Sequence, residues 1–148
     1  MDYEAIRGGL EQAIPFNRHI GLEVAEVAPG RGVVRLPDRD ELRNHVGSQH
    51  AGALFGAGEA ASGAAFVGAF AERLADLTPL AQGAEIAYRK IAKGAITATG
   101  TLGQDRDELL QRLDAEGTIE FPVGVELTDA SGEVVATMTV RWHVSRNA

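Results

Sequence analysis

A single acid, Glu59, lies within an otherwise uncharged and largely apolar stretch that runs from Ala51 to Phe70. A helix that is apolar on every face is a buried helix, and a carboxylate buried without a partner is costly. Proteins therefore seldom keep such a group unless it has a use or a mate. The segment just upstream, from Asn44 to His50, is dense in hydrogen-bonding side chains. Together the two segments predict an active site built around the start of a buried helix.

Other chemistries fit these residues less well. A serine nucleophile, Ser48 beside His50 or Ser62 beside Glu59, is disfavoured because neither serine lies in a recognised nucleophile elbow. A zinc site would combine His45 with His50 and Glu59, but the spacing lacks the two-histidine pattern of a metal-binding helix. We therefore expect no metal.

Structural interpretations stay open for the same side chains. Glu59 is alternatively the partner of an arginine or a group at the edge of the core. Asn44 and His50 are alternatively loop and helix-capping residues. His45, Ser48 and Gln49 are interpreted as scaffold residues or as the rim of a substrate site.

Composition limits the class of protein. The 148 residues, of which 45% are hydrophobic and 24% charged, suit one globular domain spanning 1–148. The absence of cysteine excludes disulfides and thiolate chemistry, and the net charge of −7 argues against nucleic acid as a partner. The N-terminus lacks signal-peptide features, and Glu59 interrupts the one run of nearly membrane-spanning length. We therefore expect a cytoplasmic protein without a membrane partner.

Hydrophobic periodicity predicts the elements that position the polar segment and the acid. In order, they are a helix near 2–14, strands near 20–27 and 33–36, a helix from about 50 to 77, strands near 85–91 and 94–102, a short helix at 105–117, and strands near 119–127 and 134–144. Pro122 indicates a bulge or an edge. Asp105 and Glu108 have the spacing of a capping box at the start of the short helix, and Gly117 is its predicted stop. Strands joined by short turns are mostly antiparallel, and the long apolar helix suits one sheet face. The predicted class is α+β, an antiparallel sheet wrapped around a central helix.

This order of elements, with the segment between 44 and 59, resembles the hotdog-fold thioesterase superfamily, and most of all its phenylacetic-acid-pathway-type acyl-CoA thioesterases. The residues that stand at the family motif's positions, with the family's spacing throughout, are Asn44, Gly47, His50, Ala51, Gly52 and Glu59. Two positions depart from the family pattern: Ala51 replaces the usual glycine, and Glu59 replaces the aspartate of many relatives. The helix at 105–117 is not a general feature of the family.

The resemblance implies an enzyme that hydrolyses an acyl-CoA thioester, with coenzyme A as part of the substrate and no other cofactor. It implies that the Ala51 amide stabilises the oxyanion and that Glu59 activates water or attacks the carbonyl carbon. Asn44 would position water, and His50 would fix the loop or the thioester. The first amides of a helix lack partners within it and carry partial positive charge, so we expect both the Ala51 and the Gly52 amides to be free.

The remaining substrate contacts are assigned to Gln49 and Gly52 at the helix start and to a basic group further along the chain. Arg89, Lys90 and Lys93 follow a predicted strand, and the resemblance implies that they meet the phosphates of coenzyme A. A solvated charged edge is the alternative for these three cations.

Helix geometry adds a prediction about assembly. Glu59 lies eight residues beyond Ala51, which is about 12 Å along a helix axis, so one chain cannot easily bring both to one carbonyl carbon. Two antiparallel helices related by a two-fold axis can, which predicts a homodimer, or a dimer of dimers, with shared sites. Glycines at 52, 56 and 63 share a stripe with Glu59 and indicate the close approach of a partner helix, the sheet or a ligand.

Two rival functions remain open at this stage. One is a hotdog hydratase or dehydratase acting on acyl thioesters, although the nine-residue spacing from His50 to Glu59 fits the thioesterases better. The other is a non-catalytic domain that binds an acyl thioester or a partner.

Overall fold

Four α-helices and six strands make up the fold, and the computed structural model describes all residues from Met1 to Ala148. The elements are α1 (Tyr3–Ala13), α2 (Pro15–His19), β1 (Glu23–Ala28), β2 (Arg31–Leu36), α3 (Ala51–Ala69), β3 (Leu77–Tyr88), β4 (Ile96–Leu102), α4 (Arg106–Glu116), β5 (Thr118–Thr128) and β6 (Val134–Arg146). Short 3₁₀ turns at Asp40–Leu42 and Ala71–Asp76 flank α3 on either side. No helix combines the length and the apolar character needed to cross a membrane.

The six strands form one sheet in the order β1-β2-β4-β5-β6-β3, and every neighbouring pair is antiparallel. Strand β5 alternates buried and exposed residues along its length, as a half-buried strand should. Strand β3 has only β6 as a neighbour, so the other edge of this 12-residue strand is unpaired. The α+β architecture, an antiparallel sheet around a central helix, is the predicted one.

Helix α3 is held against the sheet by residues that lack bulk. A Cβ added at Gly100 in β4 would lie 2.5 Å from the carbonyl oxygen of Ala61, and one added at Gly32 in β2 would lie 2.6 Å from the amide nitrogen of Ala65. Neither distance is tolerable for a real side chain, so glycine at both positions lets the helix backbone approach the strands. Beyond this contact the helix ends in an aromatic cluster in which Phe66 stacks on Phe70 at 5.0 Å between ring centroids.

The predicted end of the central helix is wrong by two turns. The helix stops at Ala69 rather than near Leu77, and the chain passes through a 3₁₀ turn directly into β3. The apolar run ends at Phe70, and the charged residues that follow favour a turn at the surface. Strand β3 then starts at Leu77 instead of Glu85 and tolerates Pro79, because an edge strand has backbone N–H groups that no neighbour needs.

Two smaller predictions concern proline and capping. Pro122 lies in β5, which has neighbours on both sides, but pairing with β4 stops at Val123, so the strand is an edge on that flank as expected. The side chain of Asp105 accepts a hydrogen bond from the Glu108 amide at 3.0 Å, which confirms the predicted cap of α4. Gly117 ends this helix with a φ of +82°, a left-handed conformation that glycine adopts without strain.

Candidate active site

The first turn of α3 leaves one amide without a partner. His50 is the N-cap, and its Nδ1 accepts a hydrogen bond from the Gly52 amide at 2.8 Å. The amides of Ala53 and Leu54 both donate to the His50 carbonyl oxygen. The expectation of a free Gly52 amide is therefore wrong, because the ring nitrogen of His50 occupies it. The Ala51 amide alone remains available, which matches the role that the resemblance implies for it.

Asn44 folds its own loop. Its Oδ1 accepts hydrogen bonds from the amides of Val46 and Ser48, each at 3.1 Å, and its Nδ2 donates to the Ser48 hydroxyl at 2.9 Å. Gly47 provides the left-handed turn between these residues, with a φ of +77°. Asn44 thus makes the loop hydrogen bonds, and His50 the helix-capping hydrogen bond, that the alternative structural interpretation predicts. They shape the loop that leads to Ala51.

Gln49 fastens this loop to the rest of the fold. Its side-chain Nε2 donates to the carbonyl oxygens of Pro37 and Gly94 at 3.0 and 2.9 Å, and the residue is only 3% exposed. Its Oε1 is buried and has no hydrogen-bond partner. In this structure Gln49 acts as a scaffold residue, as one of the two sequence interpretations anticipated.

An open cavity of about 430 Å³ adjoins the start of α3. Of the predicted site residues it is lined by Asn44, Gln49, Ala51, Arg89 and Lys90. His50, Gly52 and Lys93 do not line it, so the structure separates Lys93 from the other two cations. The cavity is therefore bordered both by Ala51, whose amide is free, and by two positively charged residues at the surface.

Tyr88 lines the same cavity and was not predicted from the sequence. Its hydroxyl donates to the Ala51 carbonyl oxygen at 3.1 Å, which ties the end of β3 to the first turn of α3. Nothing in its spacing marks Tyr88, since the contact spans 37 residues and depends on how the strand crosses the helix.

The cations at the cavity already have partners of their own. The Arg89 Nε donates to the Thr137 hydroxyl at 3.1 Å, and Lys90 forms an ion pair with Glu133. Both cations are exposed, and exposed ion pairs contribute little, so an incoming anion can replace these contacts at small cost. Lys93 is exposed and makes no ion pair.

Glu59 lies in a second cavity, on another face of α3. This cavity has a volume of about 270 Å³, and nine of its 13 lining residues are hydrophobic. The carboxylate makes no hydrogen bond and no ion pair, so the alternative of an arginine partner is wrong. Burial raises the pKa of Glu59 above its ordinary value, because the apolar surroundings disfavour the charged form.

Ser62 supports this second cavity from behind, because it hydrogen-bonds Trp142, which lines the cavity. Its hydroxyl donates to the Glu59 carbonyl oxygen at 2.7 Å and accepts a hydrogen bond from the Trp142 Nε1 at 3.1 Å. The serine thus bonds the main chain of residue 59 and not its carboxylate, and the pairing needed for a serine nucleophile is absent. The hydrogen bond fixes the Trp142 ring as part of the cavity wall.

The glycine stripe on α3 faces side chains of its own chain. A Cβ at Gly56 would meet Phe16 and Ile20 at 3.4 Å, and a Cβ at Gly63 would meet Trp142 at 3.6 Å. Gly63 also lines the cavity around Glu59. A partner helix, the sheet or a ligand was expected beside this stripe. In the structure the glycines lie against side chains of the same chain, and Gly63 also borders the cavity.

The structure keeps the two candidate catalytic groups apart. Ala51 and Glu59 line different cavities of one chain, in agreement with their separation of about 12 Å along the helix. His45, His50 and Glu59 are not gathered into a cluster that could hold a metal ion.

A family model described as "Domain of unknown function (DUF4442)" matches residues 3–144. The chain belongs to this family. Among curated proteins, none matches it significantly.

Solved structures relate this DUF4442 chain to the hotdog fold. A Pseudomonas aeruginosa protein of unknown function, PA5026, described as a probable thioesterase, is 31% identical over 97% of this chain and 95% of its own, with a TM-score of 0.86. The Escherichia coli PaaI protein of the phenylacetic acid degradation operon is 17% identical, with a TM-score of 0.72 over 95% of this chain and 90% of its own.

A mutant of the Staphylococcus aureus thioesterase SAV0944 is similar in the same way, at 17% identity and a TM-score of 0.71, over 89% of this chain and 99% of its own. At these low identities the last two likenesses show the fold alone. The predicted hotdog fold and the resemblance to hotdog-fold thioesterases are confirmed.

Proposed function

We propose that this protein is a thioesterase that hydrolyses an acyl-CoA to the free acid and coenzyme A. Glu59 takes a proton from water, and the resulting hydroxide attacks the thioester carbonyl carbon. The developing oxyanion is held by the Ala51 amide. The tetrahedral intermediate then collapses, the carbon–sulfur bond breaks, and the thiolate leaves with the proton returned by Glu59.

The observation that carries the proposal is the unpartnered carboxylate of Glu59 in an apolar cavity. A general base is most effective when its pKa is near the working pH, and burial raises the pKa of Glu59 in that direction. A structural carboxylate would be expected to have an arginine, a lysine or a cap for a partner. The names of two proteins that share the fold, one a probable thioesterase and one a thioesterase, support thioesterase activity in general.

We propose that each site is shared between two copies of the chain. One protomer supplies the Ala51 amide and its partner supplies Glu59, since neither chain presents both to one cavity. The surface around the start of α3 suits such a contact, because three large apolar side chains are exposed there, Phe55, Tyr88 and Ile91, the last at 69%. The unpaired edge of β3 is able to pair with the same strand of a second copy.

Arg89 and Lys90 are the candidate contacts for the phosphates of coenzyme A, because both line the cavity that Ala51 also lines. Lys93 lies outside that cavity. Two cations at one cavity of a chain with a net charge of −7 provide a local site for an anionic ligand.

The first test measures thiol release from a panel of short, aromatic and long acyl-CoA substrates. Glu59→Gln should lower kcat by about 10²-fold or more, the usual contribution of a general base, while the protein stays folded. The matched control is Glu126→Gln, since Glu126 is exposed and makes no ion pair. Full activity of Glu59→Gln would refute the proposal. A change in double-bond absorbance without thiol release would instead identify a hydratase, and saturable binding with neither would identify a binding domain.

The second test uses the Ala51 amide, which proline removes without disturbing the helix. Proline is well tolerated at the first helical position, and His50 already has the extended backbone, with ψ at 141°, that a residue before proline requires. Ala51→Pro should lower the rate about 10²–10³-fold. Ala51→Gly retains the N–H and should retain activity.

Mixing the two inactive variants tests whether the site is shared. A hybrid of Ala51→Pro and Glu59→Gln subunits contains one intact site and one doubly defective site. Equal mixing should therefore recover about a quarter of the wild-type activity, because half of the dimers are hybrids. No recovery, with hybrid formation verified by mass spectrometry, would mean that each site lies within a single chain.

A further inference from the structure

The cavity around Glu59 contains a second polar side chain that has nothing to bind. Asn17 lines this cavity and is only 9% exposed. Its backbone carbonyl accepts a hydrogen bond from the Leu22 amide at 3.0 Å, but its side-chain amide makes no hydrogen bond to the protein. The side-chain atoms that are fully buried without a partner belong to other residues, so the amide of Asn17 is open to the cavity and available to a ligand that enters it.

The local sequence around Asn17 is the reverse of what packing alone would select. In the short helix α2 the polar Asn17 is turned inward, while the neighbouring Phe16 is 57% exposed. Exchanging the two would bury an aromatic ring and solvate an amide. Where a sequence breaks such a rule without a structural gain, function is the usual reason.

The rest of the cavity is suited to hydrocarbon. Its walls include Leu22, Val24, Phe66 and Trp142, and its volume is about 270 Å³. An apolar cavity of about 150 Å³ is known to accommodate benzene, so this one has room for a longer group. The cavity is therefore suited to a ligand that has an apolar body and one hydrogen-bonding group.

We propose, on the basis of the proposed function, that this cavity holds the acyl group and that Asn17 is a specificity-determining residue that hydrogen-bonds a hydroxyl or oxo substituent on it. The amide both donates and accepts, so it can pair with either substituent. The preferred substrate is then an acyl-CoA whose chain bears such a group beyond the thioester carbonyl.

A site built to hydrogen-bond a substrate discriminates strongly against the analogue that lacks the group, because its own buried amide is then left unpaired. Octanoyl-CoA and its derivatives with a hydroxyl at C3, C5 or C8 provide the comparison. Wild-type protein should hydrolyse at least one hydroxylated derivative with a kcat/KM about tenfold or more above that of octanoyl-CoA.

Asn17→Leu replaces the amide by an apolar group of similar size and should abolish this preference, because kcat/KM for the hydroxylated derivative should fall to that for octanoyl-CoA. Ile14→Leu, a change of similar volume in the wall of the same cavity, is the control and should keep the preference. Asn17→Ala provides a second variant if leucine disturbs folding, as judged by circular dichroism.

Two results would overturn the role of Asn17 and leave the proposed function standing. One is equal hydrolysis of octanoyl-CoA and every hydroxylated derivative by the wild type. The other is an equal loss on all substrates in the Asn17 variants. If no substrate releases thiol, the proposed function fails, and calorimetry with non-hydrolysable thioether analogues then tests Asn17. Binding of a hydroxylated analogue about tenfold tighter than its parent, lost in Asn17→Leu, supports the proposal, and equal binding overturns it.

Discussion

The two faces of α3 are built from the same kinds of small residue but meet their surroundings differently. On the sheet-facing side, Ala57, Ala61 and Ala65 are completely buried, and a Cβ at Gly100 would come within 2.5 Å of the helix backbone. On the other side, Gly63 lines the cavity around Glu59, and a Cβ there would meet only the Trp142 ring, at 3.6 Å. One face uses small residues to achieve contact, and the other uses them to leave a space.

The comparison shows why the glycine stripe of α3 was ambiguous in the sequence. A missing side chain allows either close approach or an empty volume, and only the elements opposite the helix decide between them. The tight contact depends on glycines of β2 and β4 that lie far away in the chain. The cavity around Glu59 depends on the positions of α1, α2 and Trp142, because their side chains border this volume without filling it.

The largest effect is expected where the contact is tightest. Gly100→Ala forces a methyl group against the backbone of α3 and should lower the free energy of unfolding by about 1–3 kcal/mol. Gly124→Ala is the matched control on the neighbouring strand, because nothing lies within 4 Å of a Cβ at that position. Urea denaturation of both variants measures the difference, and equal stabilities would contradict the tight contact.

The wall of the cavity is tested by Ser62→Ala. The substitution leaves the buried Trp142 Nε1 without its acceptor, and a buried donor left unpaired costs about 1–3 kcal/mol, partly offset by removal of the hydroxyl. We expect a lower melting temperature and a shift in Trp142 fluorescence. An unchanged emission maximum would mean that the ring keeps its place without the serine.

A smaller effect of opposite sign is expected on the cavity side. Gly63→Ala adds a methyl group at ordinary contact distance, 3.6 Å from Trp142, and removes a flexible residue from the helix, which should stabilise the protein by up to about 1 kcal/mol. The same methyl group takes up part of the cavity, so kcat/KM should fall for long acyl groups and hold for short ones. A destabilised variant would show that this face is as tightly packed as the other.

The smallest effect is a dependence of stability on pH. Because burial raises the pKa of Glu59 in the folded protein, the folded state keeps this proton to a higher pH than the unfolded chain. The resulting stabilisation is complete below the ordinary value of 4.5 and is lost as pH rises through the raised folded value.

Glu59→Gln removes this titration. Its free energy of unfolding, relative to that of the wild type, should therefore increase as pH rises from the ordinary pKa of the carboxyl to the raised pKa of the folded state. Urea denaturation at a series of pH values measures the difference, with Glu126→Gln as the control. A difference independent of pH would mean that water reaches the carboxylate freely. If Glu59 is the base, wild-type kcat/KM should rise with pH through the same raised pKa.

Much of the fold was predictable because local signals and tertiary contacts agree. The start of α3 after His50 and the cap at Asp105 follow from side chains that bond their own backbone. The stop at Gly117 follows from a left-handed backbone conformation that glycine adopts without strain. The end of α3 and the start of β3 were not predictable, since the edge position that makes Pro79 acceptable is a property of the complete sheet.

The candidate site was predictable in part for the same reason. Glu59 is conspicuous because its sequence neighbours are apolar, and the Ala51 amide follows from helix geometry. The bond from the Gly52 amide to His50 depends on a side-chain rotamer. Asn17 is conspicuous only once three distant segments enclose it, so no spacing rule could have identified it.

The N–H at residue 51 belongs to the main chain, and this has a consequence for how the position tolerates change. Nineteen of the twenty amino acids carry that donor, and the position is exposed. In a library of all substitutions at residue 51, every residue except proline should therefore retain activity. A catalytic group of this kind would leave almost no trace in a mutational scan, apart from the single imino acid that lacks the hydrogen.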